Sequence, residues 1–285
     1  MTEFVIDGKS KKLSVALRDK YSRIGYDTIY KLFRKGEIRV NGKKVFSDIF
    51  VKSGDAIKFY GVDPYLSPKS VYEDDNIVIY YKPPKIASVG VGSFDEVVRE
   101  NNPEYVICHR LDTNTDGLLI FAKNEKIAEE IKRCFADHEI KKMYFTVVSG
   151  EVEEYKELKA YLKKDAELGT VKIFDSQVTG SDEIITKINP LEAENGLTLL
   201  EVELVTGKTH QIRAHLAHEN LPIIGDSKYG NNETNRHYKK KYQMLHAYKI
   251  TFSITDGPLS YLNGKTVSLD EQKYHDEFSL LISHL

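Results

Sequence analysis

Over the first sixty residues the apolar positions recur at helical spacing and then give way to short runs. Leu13, Leu17 and Tyr21 follow a lysine-rich start at i, i+4 and i+8. Ile29, Leu32 and Phe33 share one face of a second helix expected over residues 26–35, with Asp27 near its start and Gly36 ending it. Ile38-Arg39-Val40 reads as a strand, Asn41-Gly42 as a tight hairpin turn and Lys43-Lys44-Val45 as the return. After a turn at Ser53-Gly54-Asp55, a strand is expected over residues 56–60. The stretch Asp63-Pro64-Tyr65-Leu66-Ser67-Pro68 reads as a linker.

From about Val71 the pattern changes to many β-rich runs with few helices between them. Residues 76–81 form such a run, ending at Lys82-Pro83-Pro84. Residues 117–122 are apolar throughout, as a buried strand requires. Asn124 is placed to cap a helix that carries Ile127, Ile131 and Phe135 at i, i+4 and i+8. Strands are expected over 143–148, 197–205 and 243–254, and a terminal helix within 268–285. This order predicts an α+β fold: a mainly antiparallel, mixed-sheet domain over 71–285, a small αβ unit over 1–61 and a linker over 62–70.

Charge sharpens that division. The whole chain carries a net charge of −2, but residues 1–61 hold 14 Lys and Arg against 7 Asp and Glu, which leaves −9 for the remainder. A basic module joined to an acidic body points to docking on a polyanion, although a small unit can also carry surplus charge by chance. No apolar stretch approaches the roughly 20 residues of a membrane span, and the N-terminus lacks a basic head followed by an apolar run. The two cysteines, Cys108 and Cys134, form no CxxC pair. A reduced, cytoplasmic protein away from membranes is the expectation.

Three segments carry candidate chemistry. The first runs from His109-Arg110-Leu111-Asp112 through Asp116-Gly117 to Lys123, a polar loop leading into a buried strand, where a scaffold can present a carboxylate. Asp112 also suits a plain turn, and Asp116-Gly117 a hairpin corner. The second is Lys142-Met143-Tyr144. The third, Thr206–Leu216, leaves a strand, turns at Thr206-Gly207 and begins a helix, and is followed by Gly225–Gly230. Its Gln, Arg and His side chains sit beside free backbone N–H groups, a place suited to phosphate or carboxylate, or simply to solvent. His210, His215 and His218 lack the HExxH spacing of a zinc site, and no phosphate-binding or dinucleotide glycine loop is present, so neither metal nor cofactor is expected.

The segment His109–Lys123 closely resembles the HRLDxxTSGLLxxAK hallmark of the RluA-type pseudouridine synthases. Lys142-Met143-Tyr144 resembles their K-x-Y element, Thr206–Leu216 their TGRTHQIRxHL segment, Gly225–Gly230 their GDxxYG and Lys82-Pro83-Pro84 their early KPxG. These pieces fall in family order between about residues 72 and 252. Residues 13–60 resemble the small RNA-binding domain first described in a ribosomal protein of the small subunit. Asp116 departs from the usual Ser, Lys208 from Arg and Lys85 from Gly, and residues 86–95 look short; these departures bear on substrate choice more than on reaction type.

The resemblance implies isomerisation of uridine to pseudouridine in RNA, redox-neutral and without cofactor, by a monomer. Large-subunit ribosomal RNA is the expected substrate and transfer RNA the alternative. Asp112 is implied as the catalytic carboxylate, Arg213 as the cation that keeps it ionised and oriented, and Tyr144 as acid and base, with Lys142 tuning it. Arg110 is implied to enter the gap left by the unstacked base. His109, Lys142, Lys208 and His210 are implied RNA contacts beside it, as are Arg34, Lys35, Arg39 and Lys43 in the basic unit. The basic run Arg236, Lys239, Lys240 and Lys241 suits either RNA backbone or a solvated loop. The competing readings are an RNA-binding protein with catalysis lost and an unrelated hydrolase or phosphatase. A synthase releases the C5 hydrogen of uridine, whereas a binder releases nothing and a hydrolase yields a free product.

Overall fold

The computed structural model describes residues 2–21, 24–60, 66–90, 92–165, 167 and 169–283. Residues 62–65 of the expected linker, 62–70, and the side chain of Asp27 lie outside the described residues.

Residues 2–60 form a four-stranded antiparallel sheet in which Thr2–Val5 pairs with Ala56–Phe59, followed by Ile38–Val40 and Lys43–Val45. Helices Leu13–Lys20 and Tyr26–Lys35 cover it. Gly36 ends the second helix in the left-handed region, φ 63°, where its missing Cβ is an advantage. Leu13, Leu17, Tyr21, Ile29, Leu32 and Phe33 are all buried in one core, as their spacing predicts. The strand Thr2–Val5 escaped the sequence reading, because half of its short alternation is polar.

The second sheet has eleven strands. Its centre sets Asp116–Ala122 between Ile77–Lys82 and Leu245–Phe252, with Ile140–Ser149 beyond. Every described pairing is antiparallel except that of Asp116–Ala122 with Leu245–Phe252. Both faces of the centre are covered, which explains the unbroken apolar run in Asp116–Ala122. Leu118, Ile120 and Ala122 pack beneath helix Glu125–Ala136 through Ile127 and Ile131. Leu119 and Phe121 face the other way, toward Ile212 and Leu216 of helix Gln211–His218. Asn124 caps the first of these helices as expected, its side chain accepting from the N–H of Ile127 at 3.1 Å.

One end of the sheet was not foreseen. Lys156–Asp165, Thr170–Phe174 and Asp182–Glu194 extend it beyond Leu197–Leu204. Leu158, Ala160 and Leu162 alternate inward, but the run is short and flanked by lysines and Glu157, and Pro190 beside a bulge interrupts the longest strand.

The parallel step at the centre depends on Gly117. Its φ is 122°, and a Cβ there would lie 2.1 Å from the carbonyl oxygen of Ala247. Only glycine lets the two strands approach this closely, and that approach fixes where the preceding loop, residues 111–115, leaves the sheet.

Candidate active site

Asp112 sits in that loop, and its backbone is tied down on both sides. The N–H of Leu111 donates to Ser88 Oγ at 2.9 Å, and Ser88 Oγ donates to the Leu111 carbonyl at 2.7 Å. Beyond Asp112, the buried ammonium of Lys82 reaches the carbonyls of Pro83 and Ile86 at 2.9 Å each and that of Thr113 at 3.4 Å. Burial lowers the Lys82 pKa to about 8. The loop closes on itself where the Thr115 N–H donates to the Asp112 carbonyl at 3.0 Å. Ser88 went unnoticed in the sequence because it lies in the short stretch 86–95 that matched no motif.

Arg213 reaches the loop from helix Gln211–His218. Its Nη1 donates to Asp112 Oδ2 at 2.8 Å, while Nε and Nη2 grip Asp226 at 2.6 and 2.9 Å. The exposures order the three groups: the Asp226 side chain is 0% exposed, Arg213 6% and Asp112 23%. Burial works against the charge on Arg213, but its bonds to Asp226 and then Asp112 raise its pKa overall. Burial likewise pushes Asp226 up. The arginine and the backbone N–H groups of Lys228 and Tyr229 outweigh that and hold it below the usual carboxylate range.

Sequence reasoning found Arg213 and Asp112 but not Asp226, which appeared there only inside the Gly225–Gly230 element. Asn235 fastens that element: its side chain accepts from the Gly225 N–H at 2.6 Å and donates to the Asp226 carbonyl at 2.9 Å.

The turn before the helix is equally constrained. His210 occupies the left-handed region, φ 54°, unusual for a residue with a side chain. Gln211 is buried and holds the turn, accepting from Thr206 Oγ1 at 2.9 Å and the Lys208 N–H at 3.1 Å. The His210 ring bonds Tyr229 Oη through Nδ1 at 2.9 Å, and its Nε2 lies 4.0 Å from Asp112 Oδ1. Burial lowers its pKa, with Arg213 and Lys228 adding to the effect against Asp112.

Asp112, Arg213, Arg110, His109, Lys142, Lys208 and His210 line one cleft of about 850 Å³. That volume lies within the roughly 300–1,000 Å³ of sites that take a small molecule or a single residue of a polymer. Tyr144 lines a smaller cavity of about 60 Å³ with Asp112 and Arg213. A bulge between Met143 and Tyr144 in the pairing with Leu245–Phe252 lies at the point where Tyr144 meets the loop. Burial, and then the charge on Asp112, raise the Tyr144 pKa well above its ordinary value. Lys142 was expected to offset this. Instead burial lowers its own pKa to about 8, and its ammonium rests over the Phe135 ring at 4.5 Å.

The remaining candidates divide. Arg110 is exposed on the cleft, its Nη2 3.5 Å from Thr209 Oγ1. Lys208 is also on the cleft but pairs with Asp182 at 3.1 Å. His109 uses Nε2 to accept the Ile120 N–H at 3.1 Å, and burial, helped by Lys142, lowers its pKa to about 3, so it serves the fold as a neutral ring. Arg34, Lys35, Arg39 and Lys43 lie in the N-terminal unit and do not line the cleft.

The zinc decoy separates: His215 bonds Thr186, His218 bonds Asp175, and among the described residues no group of three His, Cys, Asp or Glu is placed to hold a metal. The departures from the family pattern resolve differently from one another. Asp116, tied in the sequence reading to substrate choice, does not line the cleft; it is buried, accepting from Tyr81 Oη at 2.6 Å and bonding His246 Nδ1 at 2.5 Å. Lys85 adopts φ 71°, the left-handed conformation that accounts for glycine in the family pattern.

The RNA pseudouridylate synthase family model matches residues 76–218, which include the loop, Tyr144 and Arg213. An "Uncharacterized RNA pseudouridine synthase" of Helicobacter pylori strain J99 is 37% identical over 192 residues, 67% of this chain and 74% of that protein. The "Ribosomal large subunit pseudouridine synthase C" of Rickettsia felis is 31% identical over 274 residues, 86% of this chain and 89% of that protein. The fold is shared with the human RNA Pseudouridylate Synthase Domain Containing 4, at TM-score 0.61 and 17% identity over 75% of this chain and 92% of that one. Among the described residues no helix is long and apolar enough to cross a membrane. On the family match and these relatives, the chain belongs to the RNA pseudouridylate synthase family and is an isomerase that converts uridine to pseudouridine in RNA.

Proposed function

We propose that this isomerase acts on large-subunit ribosomal RNA in the cytoplasm, as a monomer, with Asp112 as the catalytic carboxylate, Arg213 as its partner and Tyr144 as the proton carrier. The observation that carries the reading is the bridge Asp226–Arg213–Asp112. Its buried end is fully charged and bonded, and its exposed end opens into the cleft.

In the reaction the bond from uracil N1 to ribose C1′ breaks, the base turns, and C5 bonds to C1′. The C5 proton leaves to solvent and N1 takes one up, so atoms and electrons balance without a cofactor. Asp112 is held by one oxygen, at 2.8 Å from Arg213, which leaves the other free to face the ribose. The planar fork of Arg213 is anchored on Asp226, and the guanidinium so fixed orients Asp112 through its remaining Nη1. Tyr144 stays protonated at neutral pH, so it enters the reaction as a neutral hydroxyl that donates and receives in turn.

The target base must be unstacked, at a cost of a few kcal/mol. Arg110 is exposed at the mouth of the cleft and is suited to stack in the gap, and Lys142, Lys208 and His210 line the wall beside it. The +7 charge of residues 1–61 fits a small RNA-binding domain that docks the substrate through Arg34, Lys35, Arg39 and Lys43, joined by a linker over 62–70 to a catalytic domain over 71–285.

Support for the ribosomal substrate comes from that basic unit and from relatives named for the ribosomal large subunit in Rickettsia felis and Vibrio vulnificus, at 31% and 28% identity. The test is to incubate the purified chain with separated large-subunit ribosomal RNA and transfer RNA from cells lacking the gene, then map new pseudouridines. New sites in the ribosomal RNA are expected; sites confined to transfer RNA would overturn the target.

A further inference from the structure

The catalytic cleft has a neighbour. A second cavity of about 710 Å³ is lined by Gly225, Ser227, Asn235, Arg236, Lys239 and Lys241, among others, and Ser227 forms part of the wall of both. Residues 236–241 supply four cations and no carboxylate, inside a region, 62–285, whose net charge is −9. Lys240 pairs with Glu277 at 3.2 Å. Arg236, Lys239 and Lys241 are exposed and, among the described residues, have no carboxylate within 4.0 Å.

An aromatic platform stands at the end of the same run. Tyr242 is 43% exposed, and the Lys85 ammonium lies 4.9 Å from its ring centre. Its backbone is pinned, because Gly225 packs so closely beneath it that a Cβ there would lie 2.0 Å from the Tyr242 carbonyl oxygen. Unpaired cations beside a fixed aromatic face suit a phosphate backbone whose bases are accessible, since phosphates take the charge and a base can stack on the ring.

We infer that Arg236, Lys239, Lys241, Lys85 and Tyr242 form a second RNA-docking track, which holds the strand leaving the catalytic cleft past Ser227. The inference rests on the proposed reading that the target uridine enters the cleft lined by Asp112. A lone small anion does not require three separated cations along an open cavity, whereas consecutive phosphates of one strand do. The track is distinct from the basic N-terminal unit, and its cations Arg236, Lys239 and Lys241 lie in and just after helix Asn232–His237, which follows the loop that carries Asp226. It therefore places the strand in register with the bridge through Asn235, whose side chain ties the backbone of Gly225 and Asp226 to the segment bearing Arg236.

The test compares the full chain with the triple variant Arg236→Ala, Lys239→Ala, Lys241→Ala and with the charge-preserving triple Arg236→Lys, Lys239→Arg, Lys241→Arg. The probe is large-subunit ribosomal RNA from cells lacking the gene. Retention of RNA is measured over a salt series, and turnover is measured as KM and kcat separately. Removing three phosphate contacts is expected to reduce the slope of log affinity against log salt by about 2 and to raise KM by about tenfold. The charge-preserving variant is expected to keep both values. An unchanged slope and KM in the alanine variant would overturn the track, as would an equal loss in the charge-preserving variant. Absence of turnover by the parent chain would count against the ribosomal target alone, because the salt slope still decides the docking surface.

Discussion

Arg213 Nη1 stands 2.8 Å from Asp112 Oδ2, while the other face of the same guanidinium is saturated by a carboxylate that solvent does not reach, Asp226. Asp226 therefore sets the direction in which Arg213 points, and Arg213 sets the direction of Asp112. Replacing Asp226 by Asn retains the shape but leaves the buried arginine with one charged partner. Stability is expected to fall by about 3 kcal/mol, in the range found when one side of a buried pair is lost. Turnover is expected to fall about 100-fold as Asp112 loses its alignment. Urea unfolding and steady-state kinetics of Asp226→Asn read the two effects; wild-type turnover would show that Arg213 needs no second anchor.

Tyr144 is buried and its pKa is driven well above 10 by burial and by Asp112. Tyr144→Phe leaves the packing in place, so stability should change by less than about 1 kcal/mol, while kcat falls by about 100-fold or more. A raised phenol also means that kcat of the parent shows no fall between pH 7 and 9 from tyrosine ionisation. A Phe variant with parental kcat would assign Tyr144 to packing alone.

Two histidines, His215 in the core and the half-buried His109 at the cleft wall, make stability sensitive to mild acid. Burial takes His109 to about 3 and His215 to about 4, so both hold protons more weakly folded than unfolded, where the pKa is near 6.5. As pH falls through 6.5 the unfolded chain gains protons first. The stability these neutral rings contribute is complete above that pH and is lost below it, by up to about 1.4 kcal/mol per pH unit for each ring. His109→Gln keeps an acceptor for the Ile120 N–H. It is expected to be less sensitive than the parent when urea midpoints at pH 7 and pH 5 are compared. Equal losses in both proteins would place the acid sensitivity elsewhere.

Gly117 carries the parallel step at the centre of the sheet. Gly117→Ala forces a side chain into φ 122° and against the Ala247 carbonyl, 2.1 Å away. A loss of more than about 2 kcal/mol is expected, with Asp112 displaced together with its loop. Thermal unfolding close to that of the parent would mean that the two strands separate freely.

Much of this was legible in the chain because the motifs are local. The run of residues 117–122 announces a strand covered on both faces, and Asn124 and Gly36 mark helix ends through their own backbone chemistry. Asp112, Tyr144 and Arg213 were found by resemblance, and the structure gathers them around the two adjoining cavities. What escaped depended on contacts between distant segments. Ser88 acts on Leu111 through 23 positions of chain, and Asp226 on Arg213 through 13. Strands 156–165 and 182–194, next to the edge strand 170–174, hid a short apolar alternation among charges. The part played by Asp116 was not legible, because nothing in the sequence shows that His246, 130 positions away, and Tyr81 bond its two oxygens.

The most direct test is tritium release from C5-labelled uridine in total RNA of cells lacking the gene, catalysed by the parent chain and by Asp112→Asn. The amide keeps the size of the side chain and its place beside Arg213 but removes its charge. Release by the parent, with release by the variant reduced at least 10,000-fold, is the predicted result. Equal release by both proteins would leave the reaction standing and contradict Asp112 as the carboxylate that performs it.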